Sequence, residues 1–447
     1  MNTDLVIIGA GAAGLFAACE ASDAGLHAVL LERRHRPGQK LLMCGNNRCN
    51  LSHAGTAEEL LRAYGTPVRD FLATAIRSLP PNELQRWFQN RLGLRTKLLG
   101  KRIYPASEKG DDVLHAFLDH LRDRDFPVIY SAAAEAIQPI EDGFRVVTGN
   151  FTLDTRNLLL TIGGFSYPRT GSVGDGERFG KSLGIPFEPA RAGLVGLELP
   201  PRSPLTRIPA STDVQEVIVS APNLPPSIGN LLVENGVLRG SAVFDLTRMA
   251  ARQNRDDFQI AIDFFPQETL AQLNRRLQAL LIRVGGDLRT AINAIGLPPM
   301  LAAALVEDGV ETAEQLKNYR PGELRPRPLK EAIVTVGGLA RSAFDPETMQ
   351  CRLFPGLYAA GEVLDIDGPT GGYNLHAAFA TAHLAMAHLV SRLSRPSAGP
   401  RRRDDFQADN RPHSRKSDPR KSAWGKHFWH SVYSPGGQPS SYHSPVS

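Results

Sequence analysis

The sequence predicts an α/β fold whose first domain is discontinuous, because the chain leaves this domain and later returns to complete it. Residues 9–14 read Gly-Ala-Gly-Ala-Ala-Gly directly after a short apolar run, which is typical of the first strand–helix turn of a Rossmann-like domain. A second glycine-rich segment at residues 356–374 also begins with an apolar run. Proline is dense at residues 186–205 and 321–328, and these stretches mark the ends of an insertion.

The first part of the chain alternates strand and helix signals. Residues 4–9 predict a buried strand, residues 12–24 a helix that Gly25 ends, and residues 27–32 a second strand. Apolar residues at helical spacing and short apolar runs then predict helices at 81–92 and 111–124, a strand at 126–130 and an antiparallel meander at 134–162.

The sequence of the insertion predicts two parts, one made of strands and one made of helices. Several short β-type runs come first and indicate a β-barrel-like subdomain, and a helical pattern at residues 267–319 indicates a helical subdomain. The chain returns with strands at 332–336 and 356–360 and a closing helix from Asn374 to about Leu393. The expected division is a discontinuous domain at 1–189 and 329–395, a β subdomain at 190–265, a helical subdomain at 266–328 and a disordered basic tail at 396–447.

The net charge of +5 comes from one end of the chain. Residues 396–447 hold nine Lys/Arg and four Asp/Glu, and the rest of the chain holds 42 of each sign. We therefore expect no nucleic-acid affinity from the folded body, a small-molecule substrate and no membrane partner, while the partner of the tail stays open. With four cysteines, no signal peptide and no transmembrane run, we expect a reducing, cytoplasmic location.

The first glycine motif fits the binding of a dinucleotide. Gly9 allows the tight turn, Gly11 lets the backbone approach a pyrophosphate, and Gly14 lets the helix pack closely on the strand. The helix N-terminus offers unpaired N–H groups to the phosphates. Glu32 follows at the end of the next strand, where its carboxylate can accept hydrogen bonds from ribose hydroxyls and would repel the 2′-phosphate of NADP.

The second glycine motif points to a flavin. In flavoproteins of the glutathione reductase type, a late strand ends in an acidic residue that holds the ribityl chain, and Glu362 or Asp365 would do so here. The helix that starts near Asn374 would direct its positive end toward the flavin and stabilise the negative charge of its reduced form. The predicted fold is therefore a glutathione-reductase-type, FAD-binding Rossmann-like domain with an inserted barrel-like and a helical subdomain.

Four blocks of the sequence resemble the YhiN/BaiN-like flavoproteins, a family of NAD(P)/FAD-dependent oxidoreductases that includes aminoacetone oxidases. The blocks are residues 9–14, 38–50, 163–176 and 361–374, and the similarity extends over about residues 1–395. The resemblance implies FAD, a three-part architecture and redox chemistry. Where the family usually has Ser-Gly-Gly-Gly-Arg-Cys-Asn, this chain has Cys-Gly-Asn-Asn-Arg-Cys-Asn at residues 44–50. The insertion also differs at residues 233–242, where the family usually has Thr-His-x-Gly-x-Ser-Gly-Pro-Ala.

The motifs and the resemblance together predict a set of FAD contacts and no metal site. The predicted contacts are Gly9, Gly11, Ala13, Gly14, Glu32, Arg33, Lys40, Asn50, Gly361, Glu362, Asn374 and Leu375.

Candidates for catalysis are weaker, and the sequence does not choose among them. Cys44 and Cys49 have the Cys-x4-Cys spacing of the redox pair in flavin disulfide reductases, although the chain has no second GxGxxG for NADPH. His376, Tyr167 and Cys49 are the candidate catalytic residues, since each can exchange a proton beside a flavin.

The predicted function is an FAD-dependent oxidoreductase that transfers hydride through flavin N5 to or from a small organic substrate, with NAD(P)H as reductant. Both double-bond reductases and amine oxidases occur in the resembling family, so an oxygen-dependent amine oxidase is the main alternative. An RNA-associated flavoprotein that uses the basic tail and a redox sensor that uses the cysteine pair are the others.

Overall fold

The computed structural model describes residues 2–394, so the predicted disordered tail lies outside the described residues. In chain order, the strands are β1 (Asn2–Ile8), β2 (Ala28–Leu31), β3 (Ser52–His53), β4 (Thr96–Leu99), β5 (Arg102–Pro105), β6 (Val128–Ile129), β7 (Ala134–Ile140), β8 (Gly143–Thr148), β9 (Thr152–Leu160), β10 (Phe187–Gly193), β11 (Leu197–Glu198), β12 (Thr212–Ser220), β13 (Ser227–Glu234), β14 (Val237–Arg239), β15 (Phe258–Gln259), β16 (Ala261–Asp263), β17 (Glu323–Pro326), β18 (Val334–Leu339) and β19 (Leu357–Ala359). The α-helices are α1 (Ala12–Asp23), α2 (Gln39–Met43), α3 (Ala57–Arg62), α4 (Thr66–Ser78), α5 (Pro81–Leu92), α6 (Gly110–Arg122), α7 (Asp175–Leu183), α8 (Ser241–Arg252), α9 (Leu270–Arg283), α10 (Leu288–Ala294), α11 (Pro299–Glu307), α12 (Ala313–Lys317) and α13 (Tyr373–Ser394).

The first domain is built around a mixed sheet. Within residues 2–394 the strand order of this sheet is β6-β2-β1-β9-β8-β7, with β19 also paired to β9. The pairs β1–β2, β1–β9, β2–β6 and β9–β19 are parallel, whereas β7, β8 and β9 form the predicted antiparallel meander. The last meander strand therefore lies beside β1 and beside the returning strand β19. This pairing places both glycine motifs at the carboxyl ends of parallel strands, where nucleotides bind in such sheets.

The insertion contains a barrel. Its strand order in the described residues is β15-β17-β11-β14-β13-β12-β16, with antiparallel pairing throughout. Only Ile260 separates β15 from β16, so the first and last strands of this order are two halves of one bent segment. The sheet therefore closes on itself, as the predicted barrel-like fold requires.

A two-stranded ribbon of β10 and β18 carries the chain into the insertion and out of it. On each side of this ribbon the buried apolar side chains form a separate cluster. One cluster draws on residues 5–185 and 339–389, and the other on residues 197–324. No helix in the described part of the chain is both long enough and apolar enough to cross a membrane.

One helix interrupts the region that the sequence predicted to be purely β. Helix α8 buries Ala242, Val243, Leu246 and Ala250 against the barrel, at a helical spacing that the sequence does show. The β-type runs on either side of it dominated the sequence pattern. Ser241 and Phe244, at the start of α8, line the cavity that is described below.

Candidate functional site

The turn after β1 has the close packing that its glycines predict. A Cβ atom on Gly14 would lie 1.9 Å from the carbonyl oxygen of Gly9, and one on Gly9 would lie 2.7 Å from the carbonyl oxygen of Thr161. Gly9 also has a φ of +101°, which disfavours residues with a side chain. A Cβ atom on Gly11 would meet nothing within 4 Å. The turn is thus tight toward the protein at Gly9 and Gly14 and open at Gly11.

Glu32 lies at the end of β2 with its carboxylate against this turn. The backbone N–H of Ala10 donates to Glu32 Oε2 at 2.9 Å, and that of Arg34 donates to Oε1 at 2.8 Å. Burial raises the pKa of Glu32, and the two N–H donors oppose the rise. Since a carboxylate has about four acceptor positions, Glu32 can still accept hydrogen bonds from the cavity.

A cavity of about 480 Å³ connects the two glycine motifs with the insertion. Every predicted FAD contact except Gly14 lines it, because Gly14 packs inside the turn. The lining residues from the first domain include Gly9, Gly11, Ala13, Glu32, Arg33, Lys40, Cys44, Asn50, Arg102, Tyr104, Tyr167, Gly361, Glu362, Asn374 and Leu375. The lining residues from the insertion include Asn230, Leu232, Gly240, Ser241 and Phe244.

Glu362 is the centre of a hydrogen-bonded cluster on the cavity wall. Its Oε1 accepts from Ser166 Oγ at 2.8 Å and from the backbone N–H of Thr335 at 2.8 Å. Its Oε2 forms an ion pair with Lys40, whose Nζ also donates to Ser166 Oγ at 2.6 Å. The cluster joins three segments that are far apart in the chain. It holds the Lys40 ammonium and the Glu362 carboxylate beside the cavity.

Asn50 supplies an unused acceptor at the same cavity. Its Oδ1 atom is buried and accepts no hydrogen bond from the described residues, which is costly unless a ligand donates to it. Asn374 differs, since its side chain bonds its own loop through Gly368 N at 2.8 Å and Gly368 O at 2.9 Å. Asn50 therefore has a free acceptor at the cavity, whereas the side chain of Asn374 stabilises the loop before α13.

Residues 3–388 match the sequence profile of the HI0933-like protein Rossmann domain. The chain belongs to this HI0933-like family. Residues 9–14, whose packing is described above, lie within the match.

Two curated relatives have related sequences over most of their length. One is the 3-dehydro-bile acid delta(4,6)-reductase of Clostridium scindens, 26% identical over 408 residues that cover 85% of this chain and 97% of the relative. Another is the ribosomal RNA dihydrouridine synthase of Escherichia coli, 26% identical over 405 residues that cover 87% of this chain and 98% of the relative. Among solved structures, 3-ketosteroid delta1-dehydrogenase from Sterolibacterium denitrificans aligns with a TM-score of 0.49 at 14% identity, covering 88% of this chain and 100% of that one.

The residues of this HI0933-like chain fit a flavin dinucleotide. The open backbone at Gly11 leaves room for a pyrophosphate, and the orphaned Asn50 Oδ1 matches a cofactor that carries an N–H donor. With the family assignment, these features make the protein a flavin-dependent oxidoreductase.

Asp365, the alternative to Glu362 as ribityl-binding acid, does not line the cavity of this HI0933-like protein. Its Oδ1 accepts from Arg252 Nη1 at 2.5 Å and from the backbone N–H of Gly337 at 3.1 Å, and it also pairs with Arg341. These partners use its acceptor positions inside the protein. The alternative is therefore wrong, and Glu362 is the acid that reaches the cavity.

The structure also removes His376 from the candidates for catalysis. Its side chain is fully buried outside the cavity lining, with Nε2 2.9 Å from the carbonyl oxygen of Leu79 and Nδ1 2.7 Å from Ser52 Oγ. A carbonyl only accepts, so Nε2 carries the proton and Nδ1 accepts from the Ser52 hydroxyl. Burial lowers the pKa of His376 to about 4. It is a neutral core residue.

The other two catalytic candidates differ in access. Tyr167 lines the cavity and has a left-handed backbone at φ 53° and ψ 60°. Burial raises the pKa of its phenol, and the charge of Arg239 opposes the rise. Cys49 is buried behind the wall, and its partner Cys44 faces the cavity instead. Of the three, Tyr167 alone lines the cavity.

The sequence does not identify several of the residues that line the cavity. Arg102 and Tyr104 come from β5, and Ser241 and Phe244 come from the helix α8. The sequence has no motif around these positions. Each reaches the cavity because its element packs near a wall formed by distant parts of the chain, and this proximity is not encoded locally.

Proposed function

We propose that this chain is an FAD-dependent reductase of carbon–carbon double bonds conjugated to a carbonyl group, with NAD(P)H as the source of electrons. The observation on which the proposal rests is Arg102, a cavity-lining guanidinium that forms no ion pair within 4 Å among the described residues, although its charge acts on the more distant carboxylate of Asp245. A free cation there suits the oxygen of a polarised carbonyl. The names of both curated relatives describe this reaction class, since a Δ4,6-reductase and a dihydrouridine synthase each reduce a carbon–carbon double bond.

The first domain provides the residues that would hold FAD. The glycine turn and the N-terminus of α1 would bind the pyrophosphate, and Glu32 would accept from the ribose. Glu362 and Lys40 would hold the ribityl side, and Asn50 Oδ1 would accept from an N–H of the ring system. When bound, FAD supplies two-electron chemistry, accepting hydride from NAD(P)H and passing it to the substrate through N5.

The insertion contributes part of the cavity lining. Asn230 of the barrel and Ser241 and Phe244 of α8 line the cavity together with Arg102 of β5. Arg102 would bind and polarise the carbonyl oxygen of the substrate, which makes the β carbon of the double bond electron-poor. Phe244 provides an apolar surface for the carbon skeleton. The substrate would therefore lie between the two domains, which is a common location for such sites.

Tyr167 has the properties of a proton donor for this reaction. Reduction adds a hydride to the β carbon and a proton to the α carbon of the double bond. Because burial raises the pKa of Tyr167, its phenol stays protonated at neutral pH and can deliver that proton. The left-handed backbone at this residue is a strained conformation of the kind that occurs at functional sites.

The charges of the cavity argue against the amine oxidase alternative. A protonated amine needs an unpaired carboxylate, and the acidic residues among the described lining are Glu32, Asp175 and Glu362. Glu32 binds two backbone N–H groups, Asp175 pairs with Arg33 at 2.9 Å, and Glu362 pairs with Lys40. Their charges are thus compensated, whereas Arg102 would repel an ammonium group.

The decisive experiment follows the flavin spectrum of the purified protein near about 450 nm under anaerobic conditions. We expect NADH or NADPH to bleach it and a conjugated enone or a uridine-containing oligonucleotide to restore it. The oligonucleotide separates an RNA substrate from a small enone. Bleaching by aminoacetone, without bleaching by either nicotinamide, would replace the proposal by the amine oxidase.

The substitution Arg102→Leu tests the role of the free cation. We expect kcat/KM for the accepted substrate to fall by about 10- to 100-fold, since a charge-assisted hydrogen bond contributes roughly 1.5–3 kcal/mol. The rate of flavin bleaching by NAD(P)H should change little. Lys101→Leu is the matched control, because Lys101 is the exposed neighbour that does not line the cavity. Equal losses in both variants would contradict the assignment.

A further inference from the structure

The loop between α2 and β3 brings two cysteines together at the cavity wall. Cys44 follows α2, and the backbone N–H of Cys49 donates to the carbonyl oxygen of Cys44 at 2.9 Å. Gly45, Asn46 and Asn47 all have left-handed φ angles between 56° and 64°, so the chain turns sharply between the cysteines. The turn and this hydrogen bond bring the backbones of Cys44 and Cys49 close together.

The two thiols have unequal environments. Interaction with the neighbouring Cys49 thiol lowers the pKa of Cys44, and the nearby Lys40 ammonium lowers it further. Cys44 lines the cavity, whereas Cys49 is completely buried behind it. One sulfur is therefore accessible and reactive, and the other is placed to react only with its neighbour.

We propose that Cys44 and Cys49 form a redox-active pair that exchanges with small disulfide molecules and closes into a disulfide at the cavity wall. The Cys44 thiolate attacks one sulfur of a small disulfide, forming a mixed disulfide and releasing one thiol. The Cys49 thiol then loses its proton and attacks the Cys44 sulfur, releasing the second thiol. The two protein thiols are oxidised and the small disulfide is reduced to two thiols, so electrons and atoms balance.

The pair is linked by position to the flavin-binding wall. Asn50, with its unused acceptor, directly follows Cys49. Closing the disulfide would fix the start of the segment that holds Asn50. The exchange reaction itself requires no flavin and no double-bond reduction, so it does not depend on the function proposed above.

The other two cysteines provide internal controls. Cys19 and Cys351 are both buried, and burial raises the pKa of each thiol. Neither lines the cavity. We expect both to stay reduced under conditions that oxidise the pair.

The test incubates the full-length protein in buffers of stepped ratios of glutathione disulfide to glutathione, then alkylates and digests it with trypsin. Trypsin cleaves after Lys40, Arg48 and Arg62, which separates the two cysteines. The disulfide would join peptides 41–48 and 49–62 until reductant is added. Free, alkylated thiols at both positions at every ratio would overturn the proposal.

Two variants distinguish the roles of the sulfurs. Cys49→Ser should trap one glutathione on Cys44, since the resolving thiol is gone. Cys44→Ser should form neither the linked peptides nor an adduct at Cys49, and Cys351→Ser should behave as the unchanged protein. If Cys49→Ser does not fold, the result for Cys44→Ser and the linked peptides of the unchanged protein still test whether the pair forms a disulfide. An adduct on Cys49 in Cys44→Ser would contradict the assigned order of attack.

Discussion

Gly11 and Gly14 lie three residues apart in one turn and have different roles. Gly14 leaves no room for a side chain, because the carbonyl oxygen of Gly9 lies 1.9 Å from the position of its Cβ. Gly11 has free space at that position and a φ of −84° that alanine also adopts. At the residue scale, Gly14 allows the packing of α1 on β1, whereas Gly11 leaves open space at the cavity.

Alanine substitutions separate these two roles. We expect Gly14→Ala to destabilise the fold by about 1–3 kcal/mol or more, since backbone must move. We expect Gly11→Ala to keep the melting temperature and to raise the Kd for FAD by at least about tenfold, which corresponds to about 1.4 kcal/mol. Thermal unfolding of the flavin-free protein and fluorescence titration with FAD measure the two effects. A normal FAD affinity in Gly11→Ala would contradict the role given to Gly11.

The buried His376 makes folding sensitive to pH. Its pKa is about 4 in the fold and about 6.5 in an unfolded chain, so the unfolded state binds the extra proton between these values. Stability therefore falls as pH decreases through this range, by about 2 kcal/mol between pH 7 and pH 5.

Urea unfolding at pH 7 and pH 5 measures this dependence. His376→Gln cannot take up the proton, so it should lose less stability than the unchanged protein on going to pH 5. It should be the less stable of the two at pH 7, because its hydrogen bonds to Ser52 and Leu79 change. An unchanged pH dependence in His376→Gln would show that other groups cause the loss.

At the scale of elements, α8 is tied to the first domain by buried ion pairs. Arg248 Nη1 lies 3.0 Å from Asp367 Oδ2, and Arg252 pairs with both Asp365 and Asp367. Arg341 also pairs with Asp365. Because Ser241 and Phe244 at the start of α8 line the cavity, this network holds that wall of the cavity in place. We regard its members as positioning residues.

Breaking the network at one carboxylate should be costly. Asp367→Asn leaves the Arg248 guanidinium without its charge partner and leaves Arg252 paired with Asp365 alone, and we expect a loss of about 3–5 kcal/mol in the free energy of unfolding. Glu307→Gln is the matched control, since the Arg207–Glu307 pair is on the surface and should be worth less than about 1 kcal/mol. Chemical denaturation of both variants provides the comparison. Losses of equal size would show that burial does not distinguish these pairs.

At the scale of the whole molecule, positive charge and the folded core are separate. Residues 396–447 carry the full excess of positive charge, and the remainder is neutral. All residues of the cavity and both apolar cores lie within residues 5–389. Electrostatic attraction to polyanions should therefore come from the tail, and flavin binding from the rest of the chain.

Deleting residues 396–447 tests this separation. We expect the flavin content and the NAD(P)H bleaching rate of the shortened protein to equal those of the full chain. Retention on RNA should weaken and lose most of its dependence on salt concentration, because the excess cations are gone. Salt-sensitive retention that survives the deletion would point to a basic surface on the body, with Arg102 near its centre.

Local patterns in the sequence predicted a flavin cofactor and the outline of the fold. Glycine motifs, strand periodicity and proline-dense boundaries are local signals, so they indicated the Rossmann-like turn, the late flavin segment and the inserted barrel. The same signals indicated Glu362, because it lies three residues after the end of the strand β19. They could not exclude Asp365, which lies three residues later in the same loop.

The surroundings of each polar side chain depend on the tertiary structure. His376 and Asp365 looked suitable for function in the sequence, but packing directs one to Leu79 and the other to arginines 24 and 113 residues away in the chain. Arg102 carried no motif, yet it lines the cavity. Contacts between distant segments set the burial and partners of a side chain, and therefore its chemistry, so these properties could be assigned only once the elements were packed together.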